Sequence, residues 1–235
     1  MRAHRVRALL MGGQACVFYG GAEFSRDTDL AILADAANLA RLRRALAELL
    51  AEPIAVPTLS LKHLRKGHAV HFRCMHPEAH RMRVDVMSRM RGVDSFAKLW
   101  LRRTVIEVPG GIRCELLSLP DLVAAKKTQR DKDWPMIRRL VEANYFEHRR
   151  APTAARVSFW LRELRTPELL LEVASEHPRA AGRVARMRPA VARAVAADAA
   201  AVELALLEEE RAERQADRAH WEPLIAELGR LRRAR

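Results

Sequence analysis

The chain is poor in cysteine, glycine and aromatic residues. Its 235 residues include three cysteines, ten glycines and 5% aromatic side chains. Three scattered cysteines cannot build the disulfide framework of a small secreted domain, which favours a reducing compartment and predicts a cytoplasmic protein. The low glycine content excludes a fibrous chain. So few aromatics also exclude the extended base-stacking surface of a single-strand binding protein.

Long hydrophobic runs are also missing. No stretch approaches the eighteen consecutive apolar residues of a membrane span, and the basic start MRAHRVRALLMGGQA is a poor signal peptide. We therefore expect no membrane partner. Apolar residues make up 49% of the chain and charged residues 30%, which is typical of a globular protein with a sizeable core.

Positive charge is concentrated in the first part of the chain. The formal net charge is +13, from 42 basic and 29 acidic residues. Residues 1–150 hold 27 lysines and arginines against 16 acidic residues, whereas residues 151–235 hold 15 against 13. This distribution predicts that a phosphate-bearing partner such as a nucleic acid is attracted to the first part.

The residue pattern changes near residue 150, and we predict a domain of residues 1–150 followed by a helical region of residues 151–235. Up to residue 150, strand-like and helical segments alternate, which indicates an α/β (α+β) fold with a small mixed sheet flanked by helices. The predicted strands are 5–11, 28–33, 68–73, 82–87, 105–108 and 112–116. The predicted helices are 15–19, 38–50, 95–102, one starting near Ser118 and 133–145.

The C-terminal region is predicted to be all-α. Prolines at positions 167, 178 and 189 should interrupt its helices. Residues 190–219 contain no proline or glycine and predict one long helix. This helix either lies solvated on the protein or forms a homodimer contact.

Two short motifs near the start point to phosphate chemistry. The first predicted strand ends at Gly12-Gly13, and Asp27-Thr28-Asp29 opens the second. A strand that ends in glycines and leads into a helix leaves backbone amides uncovered for phosphate oxygens. Asp27 and Asp29 are two residues apart on a strand, so their carboxylates lie on one face. Their mutual repulsion is relieved by divalent cations such as Mg²⁺.

Asp85 supplies a third carboxylate. It lies in the apolar strand RVDVM, where an unpaired charge is costly. If this strand neighbours that of Asp27 and Asp29, the three carboxylates would hold two Mg²⁺ ions for in-line phosphoryl displacement. A salt bridge to Arg81 or Arg83 is the alternative explanation for Asp85.

Together these segments resemble the nucleotidyltransferase superfamily that includes DNA polymerase β. The stretch MGGQACVFYGGAEFSRDTDLAIL is most similar to the toxin-like branch, as in the AbiEii and MenT proteins of type IV toxin–antitoxin systems. The stretch LPDLVAAKKTQRDKDWPMIRRLV resembles a later helix pair of the family, in which a lysine faces the nucleotide. The resemblance covers about residues 5–148.

The resemblance implies roles for the matching residues. The catalytic metal ligands would be Asp27, Asp29 and Asp85. The nucleotide-binding residues would be Gly12, Gly13, Ser25, Arg26, Lys126, Lys127 and Arg130. Among them the glycines would line the triphosphate, and Lys126 is the first choice for the nucleotide-facing lysine, while Asp85 would also act as general base.

We therefore expect a Mg²⁺-dependent nucleotidyltransferase that moves an NMP from an NTP to an acceptor hydroxyl. The preferred acceptor is RNA, such as the 3′ end of a tRNA, and a toxin of this branch would have an antitoxin protein as a partner. One alternative acceptor is a hydroxyl of a protein or of a small molecule such as an antibiotic. The other alternative is a catalytically silent module that binds nucleic acid or a protein partner.

Two features depart from the family pattern. Family members usually have a helix before the first strand, whereas this strand is predicted to begin near residue 5, so that the helix is absent or the start is assigned late. The second helix of the later pair often carries another aspartate near Met136, where this chain has WPMI.

Overall fold

A computed structural model describes residues 1–234 of the chain. Within that range, seven strands form one mixed sheet, and helices make up the C-terminal region. The predicted α/β fold is therefore confirmed. The chain divides into two compact units. The sheet unit consists of residues 1–18, 22–125 and 219–234, and the helical unit consists of residues 19–21 and 126–218. These limits differ from the change in residue pattern near residue 150.

The sheet has the strand order β3-β4-β5-β2-β1-β7-β6. β2 runs parallel to β5 and β1 runs parallel to β7, whereas the other neighbours are antiparallel. The strands are β1 (Ala8–Met11), β2 (Asp27–Ile32), β3 (Ala51–Pro53), β4 (Val70–Cys74), β5 (Arg83–Met87), β6 (Thr104–Val108) and β7 (Ile112–Leu116). The central position of β2 places its residues between β1 and β5.

The helices range from six to 35 residues in length. They are α1 (Gly12–Phe18), α2 (Ala36–Glu48), α3 (Leu61–Lys66), α4 (Phe96–Leu101), α5 (Leu119–Lys126), α6 (Asp133–His148), α7 (Ala154–Glu163), α8 (Pro167–Glu176), α9 (Pro178–Val184), α10 (Pro189–Val195) and α11 (Ala199–Arg233). No helix formed by residues 1–234 combines the length and the apolar character needed to cross a membrane.

One face of the sheet is buried under α2. The strand β5 alternates, with Val84 and Val86 buried and its polar residues on the opposite face. Leucines at helical spacing on α2 join the same apolar cluster, namely Leu39, Leu42 and Leu46. Because this face is filled by apolar side chains, the polar residues of β2 and β5 are left on the other face.

A buried asparagine joins α2 to the sheet. Asn38 is 1% exposed, and its side-chain amide donates to the carbonyls of Arg7 and Leu33 at 3.0 and 2.9 Å. Its Oδ1 accepts from the N–H of Arg7 at 2.7 Å, so the buried amide is fully paired. Asp35 caps the helix by accepting from the N–H of Asn38. These bonds hold the end of β2 and the approach to β1 at a set position.

The proline interruptions predicted for the C-terminal region are confirmed. Each of the three prolines stands at the start of a helix, where its missing N–H costs no hydrogen bond. Inside the helical unit, Tyr145 and Trp160 pack edge to face with ring centroids 5.1 Å apart. Both are buried, and the indole of Trp160 donates to Asn144 at 2.9 Å.

The single long helix predicted over residues 190–219 is wrong. α10 ends at Val195, and Ala197 adopts a φ of +56°. The carboxylate of Asp198 then accepts from the N–H of Ala201 at 3.0 Å, so a capping aspartate begins a new helix. α11 runs to Arg233 and includes Pro223, beyond the end that the sequence indicated.

Candidate functional site

The turn between β1 and α1 brings the backbone against a carboxylate. Met11, the last residue of β1, lies opposite Asp29 of β2. Gly12 follows with a φ of +66°, and a Cβ at this position would overlap Oδ2 of Asp29. A Cβ at Gly13 would overlap Oγ of Ser25 in the same way. Only glycine permits this close approach, which explains why two glycines stand here.

The three candidate carboxylates lie on one face of the sheet. β2 and β5 are paired in parallel, with Asp29 opposite Asp85 and Asp27 opposite Arg83. Residues that face each other across two strands share a side of the sheet, and so do residues two apart on one strand. The two strands are therefore neighbours, which meets the condition for a shared site of the three carboxylates. The four side chains form what we call the carboxylate face: Asp27, Asp29, Arg83 and Asp85.

Asp85 is paired with two basic side chains. Nε of Arg83 and Nδ1 of His71 each lie 2.9 Å from its Oδ1, and His71 comes from the opposite position on β4. Nδ1 of His71 also lies 3.1 Å from Nη2 of Arg83. Because an ionised carboxylate and a guanidinium are an acceptor and a donor, Nδ1 of His71 can donate to Asp85 or accept from Nη2 of Arg83, but not both at once. Burial raises the pKa of the Asp85 carboxyl, but hydrogen bonds from His71 and Arg83 outweigh it and bring that pKa below its ordinary value.

The negative charges of all three carboxylates stabilise the charged form of Arg83. Its pKa is raised by the hydrogen bond to Asp85 and by the negative charges of Asp85, Asp27 and Asp29, against a smaller opposing effect of burial. The guanidinium is 40% exposed, so solvent reaches the carboxylate face at this point. The alternative explanation for Asp85, a salt bridge to Arg83, is thus present, and it lies on the same face of the sheet as Asp27 and Asp29.

The donor chemistry of the carboxylate face suits Mg²⁺, which prefers carboxylate oxygens. In the arrangement found within residues 1–234, no three His, Cys, Asp or Glu side chains converge closely enough to hold an ion. Asp85 is instead engaged by Arg83 and His71. The strand register fits a metal bound by Asp27, Asp29 and Asp85, provided that Asp85 exchanges its basic partners for the ion.

The predicted phosphate contacts Ser25 and Arg26 precede β2 directly. Oγ of Ser25 donates to the carbonyl of Asp27 at 3.3 Å and lies against Gly13. Arg26 is exposed, and its guanidinium carbon lies 6.0 Å from the ring centroid of Phe24. The sheet unit thus brings Ser25 to the glycine turn and leaves Arg26 in solvent.

The three predicted basic residues of the later helix pair belong to the helical unit and are ion-paired there. Nζ of Lys126 lies 3.0 Å from Asp133, and Nε of Arg130 lies 2.9 Å from the same carboxylate. Nζ of Lys127 lies 2.7 Å from Glu163. Each of them would reach a phosphate only by leaving its carboxylate partner.

Two residues that pair with the predicted site residues were not themselves predicted from the sequence. His71 was not among the predicted site residues, and only the register of β4 against β5 places it on Asp85. Asp133 is fully buried and accepts from Lys126, Thr128 and Arg130. Its position at the start of a predicted helix was the one available signal, since aspartate favours the first turn.

No protein-family model matches this chain, and a search of curated proteins finds no match.

Proposed function

We propose that the protein is a Mg²⁺-dependent nucleotidyltransferase of the DNA polymerase β type. One observation carries the proposal, namely the close approach of the Gly12 backbone to Asp29 at the point where Asp29 faces Asp85 across β2 and β5. Phosphate-binding backbone and metal-binding carboxylates must be neighbours in such an enzyme, because the ion bridges the carboxylates and the triphosphate. The sequence motifs supply the same combination independently.

The residues of the sheet unit would divide the reaction between them. Asp27, Asp29 and Asp85 would hold two Mg²⁺ ions, which lower the pKa of the nucleophile and neutralise the leaving group. The acceptor oxygen attacks the α-phosphorus, the bond to the pyrophosphate oxygen breaks, and Asp85 accepts the hydroxyl proton. The backbone at Gly12 and Gly13 lines the triphosphate, with Ser25 and Arg26 beside it.

RNA is the proposed acceptor, with the 3′ end of a tRNA as the preferred example. The excess of 27 basic over 16 acidic residues in residues 1–150 attracts a polyanion. The toxin-like resemblance adds an antitoxin protein as a proposed partner. A small cationic drug would favour an acidic acceptor pocket, so the basic surface argues against an antibiotic as the acceptor.

A catalytically silent module is the second candidate, and the ion pair of Asp85 favours it. Arg83 and His71 already neutralise this carboxylate. If they remain in place when Mg²⁺ and NTP are added, the face cannot assemble a three-carboxylate metal site. The protein would then bind nucleic acid or a protein partner without transferring a nucleotide.

A transfer assay separates the two candidates. Wild-type protein is incubated with each α-³²P-labelled NTP, Mg²⁺ and total bacterial RNA, beside the double variant Asp27→Asn/Asp29→Asn. Asp94→Asn is the matched control, because this carboxylate is on the surface of the same unit and is paired with Lys98. We expect label in RNA with wild type and Asp94→Asn, and a loss of roughly a thousandfold in the double variant.

The other outcomes each have a clear meaning. Label in protein bands would replace RNA by a protein acceptor. Absence of label with any NTP, together with unchanged RNA binding, would support the silent module and contradict the proposed transferase.

A further inference from the structure

Phe24 is an aromatic side chain left in solvent beside the carboxylate face. It lies in the segment of residues 22–26 that precedes β2, and it is 71% exposed. An exposed phenylalanine forgoes the burial free energy that its ring would gain in a core. A single ring is also much smaller than the apolar patches that mark protein docking surfaces. The ring is therefore accessible to a ligand that offers one flat group.

Arg26 orients this ring. Its guanidinium carbon lies 6.0 Å from the centroid of Phe24, which is cation–π distance. Arg26 is itself exposed. The pair therefore presents a flat aromatic surface next to a positive charge, and most of the ring surface stays accessible to solvent.

The position of Phe24 relative to the carboxylate face follows from its neighbours. Ser25, the next residue, contacts Gly13 at the glycine turn. Asp27 follows Phe24 by three residues. Because consecutive Cα atoms are about 3.8 Å apart, the two Cα atoms lie within roughly 11 Å of each other. A ligand that reaches the carboxylates can therefore place an adjoining group on the ring.

We propose that Phe24, flanked by Arg26, stacks an unpaired nucleobase of the acceptor RNA. Unpaired bases are recognised by stacking on aromatic rings and arginine planes, whereas bases within a duplex have no free face. The phosphate next to the stacked base would meet the charge of Arg26. The inference rests on the proposed function for the identity of the acceptor, and it adds that the acceptor end is single-stranded.

Binding measurements without NTP test this directly. The probes are a fluorescent RNA hairpin with an unpaired 3′ end and a blunt-ended hairpin with the same number of phosphates, each followed by anisotropy. Phe24→Ala should weaken binding of the first probe by about tenfold and leave the second unchanged. Phe24→Trp should restore the affinity, since a larger ring preserves stacking.

Phe146→Ala is the matched control. Phe146 is 53% exposed, and the guanidinium carbon of Arg149 lies 5.3 Å from its ring centroid, so it reproduces the Phe–Arg pair on α6. It should bind both probes as wild type does. Thermal unfolding of every variant verifies folding.

Four results would overturn the inference: no loss with Phe24→Ala, an equal loss for both hairpins, an equal loss with Phe146→Ala, or a loss seen only with a fluorescent NTP analogue. Failure of the proposed enzyme and failure of the proposed stacking can be told apart, because nucleotide transfer and RNA binding are measured separately. Phe24-dependent binding without any transfer would refute the proposed enzyme and keep the inference. Transfer to RNA by a Phe24→Ala protein with unchanged affinity would do the reverse.

Discussion

Both compact units hold an aspartate between cations, and the two differ in how completely the charge is enclosed. Asp133 in the helical unit is fully buried, and its carboxylate accepts from Lys126, Thr128 and Arg130 at 3.0, 2.6 and 2.9 Å. Asp85 in the sheet unit is 15% exposed, and its partner Arg83 is 40% exposed. One carboxylate is closed off from water and the other borders it.

The difference separates an enclosed carboxylate from one that solvent can reach. Burial raises the pKa of Asp133, but Lys126, Thr128 and Arg130 together bring it below the ordinary value, so this carboxylate is ionised and fully paired. Although Arg130 is 59% exposed, loss of these partners would leave the carboxylate of Asp133, which is 1% exposed, buried and unpaired. Asp85 shares its face with Asp27 and Asp29, and its basic partners can turn into solvent. A ligand can therefore compete for Asp85 and not for Asp133.

The largest expected effect on stability comes from removing the buried carboxylate of Asp133, and it is measured against removal of the charge of Asp85. Asp133→Ala leaves Lys126 buried without a counter-charge and should lower the free energy of unfolding by about 3–5 kcal/mol. Asp85→Asn, by contrast, should cost less than about 1 kcal/mol, because Arg83 is free to hydrate. Urea unfolding followed by circular dichroism measures both.

A surface pair provides the baseline for that comparison. Lys98→Ala breaks a pair with Asp94 whose side chains are 65% and 40% exposed, and should change stability by less than about 1 kcal/mol. If Asp133→Ala lowers the free energy of unfolding no more than Lys98→Ala does, the ion pairs of Asp133 do not stabilise the fold. The proposed difference between Asp133 and Asp85 would then be wrong.

A methyl group added at Gly12 should disturb the carboxylate face, because the backbone of Gly12 lies against Asp29. Gly12→Ala forces an alanine to a φ of +66° and drives its Cβ into Asp29. We expect a loss of about 1–3 kcal/mol in urea unfolding, together with displacement of the Asp29 carboxylate. Gly92→Ala is the control, because Gly92 has a φ of +70° with nothing within 4 Å of the added Cβ. A loss at Gly12 no greater than that at Gly92 would mean that the contact with Asp29 is not restrictive.

A small effect is also expected at Glu227, whose side chain is 20% exposed and so more open to solvent than Asp133 or Asp85. Glu227 on α11 lies 2.6 Å from Nζ of Lys66 and 3.2 Å from Nε2 of the buried His68, all within the sheet unit. Hydrogen bonds from Lys66 and His68 lower the pKa of Glu227 from 4.5 to about 2. The folded state therefore gains stability above pH 4.5 and loses it as the pH falls toward 2.

Glu227→Gln removes this dependence. The melting temperature of wild type should exceed that of the variant by a few degrees near neutral pH, and the difference should shrink as the pH drops through that window. A constant difference between neutral pH and pH 2 would show that the pairing of Glu227 does not depend on its charge.

The sequence predicted strands and helices best where the periodicity of apolar residues agrees with the positions of proline and glycine. The predicted strand over residues 82–87 matches β5, and the prolines marked the starts of α8, α9 and α10 correctly. The three-residue β3 was missed because so short a segment shows no period, and α3 was missed although α4, which has the same six-residue length, was predicted. The break at Ala197 was missed because no proline or glycine marks it, and Asp198 alone was not read as a helix cap.

By itself, the sequence determined the fold class, the succession of most strands and helices, and the residue types of the carboxylate face, because these follow from local periodicity and from the chemistry of individual side chains. Only the tertiary structure decided that Asp29 faces Asp85 and that His71 and Arg83 hold that carboxylate. It likewise decided that Lys126 is committed to a buried Asp133. Strand register and partner choice depend on segments distant in the chain, and no local pattern encodes which of several cations a carboxylate will meet.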